Sequence, residues 1–166
     1  MVRRRVCLML GAPLALTACG FRLRGAPDFA FRSIYVAMPE TSPMGLELRR
    51  NLAGTGRVQV VTDAGAAKEA EVWLEPTLDQ RERVVVGLTP SGEVRELQLR
   101  LRFRFRLRTP QGKVLIPEAE ILQQRDMTFN ESQVLSKDAE EAMLYRTMQS
   151  DIVQQIMRRL AAVRQL

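Results

Sequence analysis

The chain has 166 residues, 25 of them Lys or Arg and 19 Asp or Glu, for a formal net charge of +6, with two cysteines and not one histidine. That inventory excludes a histidine general base and histidine metal ligands. Aromatic residues make up only 5% of the chain and do not interleave with its cations on a polar face, so base stacking on nucleic acid is not expected. No glycine-rich phosphate loop is present. Composition points to a binding or assembly protein, not an enzyme, with no cofactor or metal.

Residues 1–19 read MVRRRVCLMLGAPLALTAC. Three arginines, an apolar run from Val6 to Leu16 and small residues before a cysteine have the order of a secretory leader, and the run is too short to span a membrane. Leu16-Thr17-Ala18-Cys19 resembles the bacterial lipobox, which implies cleavage after residue 18 and acylation of Cys19. Gly20 stands where aspartate commonly marks inner-membrane retention, so the resemblance implies the outer membrane, periplasmic side. The leader (1–18) removes three of the 25 basic residues and no acid, leaving 22 against 19, or +3. Cys7 goes with it, so the mature domain is expected to have no disulfide.

Residues 19–33 read as a lipidated N-terminus and tether, and 34–166 as one domain. Ile34 to Met38 is a predicted strand. Ser42, Pro43 and Gly54 frame a first helix as N-cap, first helical residue and stop, with Met44, Leu48 and Leu52 on one face. Val58 to Thr62 is a second strand, and 63–71 a loop or short turn.

Two long alternating segments follow, 72–88 and 94–108. In the first, Glu75, Thr77, Asp79, Arg81 and Arg83 share the polar side. In the second, Leu97, Leu99, Leu101, Phe103, Phe105 and Leu107 form a dry face, and Arg100, Arg102, Arg104, Arg106 and Arg108 the other. The arginines stand ~6.6 Å apart along ~27 Å. Such a stripe is either wet or matched by negative partners. One hairpin register places Asp79 opposite Arg102 and Glu75 opposite Arg106. Two carboxylates leave a basic surplus.

The turns TPSG (89–92) and TPQG (109–112) repeat one another. A further strand runs from Lys113 to about Phe129, with a bulge, break or edge expected at Pro117. Ser136 is the predicted cap of a final helix reaching about residue 164, its apolar stripe being Tyr145, Met148, Ile152, Ile156, Leu160 and Val163. Its mixed polar face predicts packing on the sheet rather than on a membrane. The expected fold is α/β of the α+β kind, a two-layer sandwich. Its sheet is mixed and mostly antiparallel, with long hairpin strands and two helices on one face.

LTACGFRLRG (16–25) and QRDMTFNESQVLSKDAEEAMLYRTMQSDIVQQIMRRL (124–160) resemble the beginning and end of the lipopolysaccharide-assembly lipoprotein family LptE. Met127 stands where the family usually has an aromatic residue, and the arginine stripe is not a family pattern. The resemblance implies a non-enzymatic outer-membrane lipoprotein that plugs the LptD β-barrel one to one, helps it assemble, and binds lipopolysaccharide in transit. Porin-like lumens are polar and wet, which suits a stripe facing the lumen wall or lipid A. Lys137 aligns with the lysine of the family's Leu-Ala-Lys-like step. With Arg95 and Arg83 near the hairpin tip, it is a candidate for lipopolysaccharide phosphate. The alternative reading is a free-standing periplasm-facing lipoprotein holding anionic glycan or phospholipid on its basic strand face.

Overall fold

The computed structural model describes residues 27–130 and 134–166; the leader, Cys19 and most of the tether lie outside them. Among the described residues eight elements occur in the order β1 (Ser33–Val36), α1 (Pro43–Gly54), β2 (Gln59–Val61), a 3-10 turn (Ala67–Glu69), β3 (Val72–Leu88), β4 (Val94–Arg108), β5 (Val114–Thr128) and α2 (Val134–Ala162). They build a five-stranded sheet in the order β2-β1-β3-β4-β5. β1 pairs in parallel with β2 and β3, and β3, β4 and β5 form an antiparallel meander. This is the expected mixed α+β architecture.

Both helices pack on the dry face of the sheet. Leu99, Leu101, Phe103, Phe105 and Leu107 of β4 are at most 1% exposed. Met44, Leu48 and Leu52 of α1 and Tyr145, Met148, Ile152, Ile156 and Leu160 of α2 close over them in one core. Burying each large apolar side chain contributes about 1.5–3 kcal/mol before chain entropy is counted. The Ser42 hydroxyl accepts the Gly45 amide at 3.1 Å, so the cap of α1 is the expected one. Gly54, expected just past the end, is instead the last helical residue, and Thr55 is the C-cap. Ser136 does not cap α2, because the helix already begins at Val134.

The repeated turn sequences build the same turn twice. Thr89 N–H donates to the Glu93 carbonyl and Gly92 N–H to the Thr89 carbonyl; Thr109 with Lys113, and Gly112 with Thr109, do the same. Gly92 (φ 87°) and Gly112 (φ 95°) occupy a backbone region that L side chains rarely enter. Pro117 lies on the edge strand β5, where the β4 register slips between the pairs Phe105–Ala119 and Leu107–Ile116. Edge and bulge both spare the sheet a missing donor.

One irregularity redirects the hairpin. β3 pairs Pro76 with Phe105 and then Leu78 with Arg104, so Thr77 is an extra residue. An inserted residue reverses which side chains face which side of the sheet. Glu75 opposes Arg106 as expected, but Asp79 opposes Phe103 and not Arg102. Beyond Thr77, Asp79, Arg81 and Arg83 therefore lie on the helix side, and Gln80 and Glu82 take the outer side with the arginine stripe.

Candidate functional surfaces

Among the described residues no helix covers the sheet's outer face, which carries the arginine stripe, but the stripe is not unmatched. Arg108 donates through Nε to Glu75 Oε1 at 2.8 Å, and Arg106 through Nε to Glu75 Oε2 at 2.6 Å. The Arg108 guanidinium also lies over the Trp73 ring, 4.4 Å from its centroid. Glu120 grips the next pair, accepting from Arg104 Nε at 2.7 Å and Arg102 Nη1 at 3.0 Å. Glu118 and Glu82 stand 4.0 Å from Arg104 and 3.7 Å from Arg102. Arg100 donates to Gln98 Oε1, and Gln98 in turn to Asp126 Oδ1.

Two carboxylates thus hold two arginines each. The basic surplus expected from β3 alone is removed by β5, whose outward row supplies Glu118, Glu120 and Asp126. Hydrogen bonds from Arg108, and secondarily from Arg106, hold the Glu75 carboxyl below its usual value against the opposing effect of burial. The same contact raises Arg108. The result is a nearly neutral, pre-paired polar array.

A second group forms where the hairpin tip meets the start of α2. Arg83 Nη2 lies 2.5 Å from Glu141 Oε2. That buried oxygen has no aligned hydrogen bond, so the contact is an ion pair and not a directed bond. The Arg81 guanidinium sits 5.0 Å from the Tyr145 ring centroid, and Tyr145 Oη donates to the Glu82 carbonyl at 2.8 Å. Burial, the largest influence, raises the Tyr145 phenol above its ordinary value. These side chains and Asp138 line an open cleft of about 360 Å³.

Lys137 Nζ donates to Glu140 Oε2 at 2.8 Å and Thr128 Oγ1 at 3.2 Å. Thr128 is the β5 partner of Glu96, and the neighbouring Arg95 carbonyl accepts the Phe129 amide. Lys137, Arg95 and Arg83 are therefore at one end of the molecule. Lys137 and Arg83 are already engaged by carboxylates, whereas the Arg95 side chain is exposed and has no hydrogen bond or ion pair among the described residues. Arg81 and Tyr145 were not singled out as site residues from the sequence. Pro76 was the available signal, because a proline inside a strand pattern marks a bulge, and the bulge brings Arg81 to Tyr145. Among the described residues no three acidic or cysteine side chains cluster as metal ligands, and no helix is long and apolar enough to cross a membrane.

A half-open sheet with two helices on one face is an architecture shared with bacterial lipoproteins. The chain is similar to an uncharacterized lipoprotein B from Nitrosomonas europaea, at 35% identity and TM-score 0.72, over 86% of this chain and 91% of that one. It shares its fold with a minor lipoprotein from Acinetobacter baumannii (20% identity, TM-score 0.64, 81% of this chain and 94% of that one). A rare lipoprotein B from Shewanella oneidensis has it too (21%, TM-score 0.63, 79% and 95%). No curated protein matches. The lipopolysaccharide-assembly family LptE matches over residues 31–160, and the chain belongs to that family.

Proposed function

We propose that this protein is anchored in the outer membrane through acylated Cys19, plugs an LptD-like β-barrel one to one, assists its assembly, and binds lipopolysaccharide on its way to the surface. The observation that carries this reading is the family match over residues 31–160. It makes the protein a lipopolysaccharide-assembly lipoprotein, a non-enzymatic class.

The outer face adds a physical reason. A lumen wall is polar and wet. Arginines already paired to Glu75 and Glu120 enter such a space without the penalty of a buried lone charge. The pairing also weakens the alternative in which the stripe holds anionic glycan or phospholipid, because its cations are largely spoken for. The reading puts lipopolysaccharide phosphate at the tip, where Arg95 has no ion pair among the described residues and Lys137 and Arg83 lie at the same end of the molecule.

The test is recovery of the protein from outer membranes in mild detergent. A large barrel at equal stoichiometry supports the plug; monomer alone favours the free-standing lipoprotein. For the tip, Arg95→Asp with Lys137→Asp is expected to weaken lipopolysaccharide binding at least tenfold, with an unchanged circular dichroism spectrum. Unchanged binding removes the tip site and leaves the plug. Mass spectrometry of the purified protein reads the anchor directly: an intact leader, or a mature Cys19 without acyl mass, contradicts it.

A further inference from the structure

We propose that the edge of β5, which no strand among the described residues covers, is a strand-addition site for an extended segment of another polypeptide carrying basic residues at alternate positions. The proposal stands apart from the barrel and lipopolysaccharide readings and does not rest on them.

The register defines what the edge offers. Phe129 N–H donates to the Arg95 carbonyl, so the odd-numbered residues of β5 are those that exchange hydrogen bonds with β4 along the regular stretch from Ala119 to Thr128. The N–H and C=O groups of Glu120, Leu122, Gln124, Asp126 and Thr128 therefore point away from the sheet. Two of those carbonyls confirm the direction by accepting from side chains: Glu120 from Arg159 Nη2 at 3.2 Å and Gln124 from Arg125 Nη1 at 2.9 Å. Both donors are half-buried side chains, and Arg125 also holds Asp151 Oδ2 at 2.9 Å, so an incoming strand has only these two guanidinium contacts to displace from the edge carbonyls. The opposite edge, β2, has three residues and offers no comparable ladder.

Charge selects the occupant. The outer row beside this edge is Glu118, Glu120, Leu122, Gln124 and Asp126. Asp126 accepts only from Gln98 and has no cation within reach among the described residues. An added strand sets its own side chains about 4.5–5.5 Å from these, so a Lys or Arg facing Asp126 meets a carboxylate without an ion pair, and one two residues along the same side faces Gln124, a neutral acceptor, while Glu120 stays shared by Arg102 and Arg104. A second copy of this chain meets a like-charge clash in the register centred between Leu122 and Gln124, which sets Glu120 against Asp126, and self-pairing in another register is an outcome of the test below. Backbone bonds then give affinity and the alternate side chains give selectivity, as in other strand-addition sites.

The experiment uses the mature chain in neutral detergent and a synthetic peptide of alternating Lys and Val, followed by fluorescence anisotropy. The peptide is expected to bind, and N-methylation of its alternate amides on the pairing edge to weaken binding at least tenfold. Gln124→Pro, which removes an outward N–H that β4 does not use, is expected to weaken it similarly while the urea midpoint is retained, and Asp126→Asn to weaken it about threefold. Equal binding by the N-methylated peptide overturns the proposal and reduces the surface to plain charge attraction; so does no binding at all. Should Gln124→Pro fail to fold, the N-methylated arm on the unaltered protein still decides. Self-association of the chain that Gln124→Pro abolishes overturns the choice of occupant.

Discussion

The two faces of β4 are built from alternate residues of one strand, yet they are held by different physics. On the helix side, Leu99, Leu101, Phe103, Phe105 and Leu107 are shut away from water. On the outer side, Arg102, Arg104, Arg106 and Arg108 remain between 22% and 50% exposed and are tied to carboxylates of the flanking strands. Burial of the first set supplies the stability. The second set supplies little of it, because exposed ion pairs are worth about 0–1 kcal/mol each; what it fixes is a charge pattern at a surface the helices leave open. A stripe of five arginines looks like a store of positive charge when one strand is read alone. Folded, it is the middle row of a three-strand mosaic.

The sharpest way to break this contrast is to attack each face in turn. Phe103→Ala empties a fully buried site and is expected to cost about 3–5 kcal/mol, read as a large drop in the urea midpoint. Glu75→Gln removes the charged acceptor of two arginines and is expected to cost about 1–2 kcal/mol. Tyr145→Phe deletes only the hydroxyl that donates to the Glu82 carbonyl and is expected to cost about 1 kcal/mol. Arg104→Gln, on the open face, is expected to cost less than about 1 kcal/mol. A loss from Arg104→Gln as large as that from Phe103→Ala would end the division between a stabilising face and a patterned one.

Two acids on β3 sharpen the comparison through pH. The Glu75 carboxyl is held below its usual value of 4.5, so it contributes stability above that value and loses it as pH falls through its lower folded value. Asp79, only four residues on but past the bulge, is pushed above its usual value of 3.8 mainly by partial burial, with Arg81 opposing, although it keeps more than a third of its surface in water. Its sign is opposite: the folded state prefers the protonated form, so its penalty is relieved as pH falls through its raised value. Stability of the Glu75→Gln variant is therefore expected to fall less than that of the parent between about pH 6 and about pH 3. The Asp79→Asn variant is expected to fall more.

Much of this was legible in the sequence. Strict alternation from Leu97 to Arg108 gave β4 and its two faces, the paired TPSG and TPQG turns gave the meander, and Ser42 with Pro43 gave the start of α1. Legibility stopped where one extra residue mattered. Alternation in β3 continues past Thr77 in apparent good order, so Asp79, Arg81 and Arg83 read as outward when the bulge has turned them inward. The partners of the stripe were hidden for a related reason. Glu118 and Glu120 come from β5, the first inside a second bulge at Pro117 and the second just beyond it, and pairing between strands is set by register and not by composition. At the tip, Lys137 comes to the same end as Arg95 through its contact with Thr128 of β5, which no local pattern contains.

In the proposed plug, the open, pre-paired face of the sheet is what meets the barrel lumen. A photo-crosslinking residue in place of Arg106, which leaves Glu75 still bonded to Arg108, tests it in intact outer membranes. The account predicts a covalent adduct with an LptD-like barrel. An adduct-free protein at that position, while crosslinkers on the exposed face of α2 do capture the barrel, would contradict it.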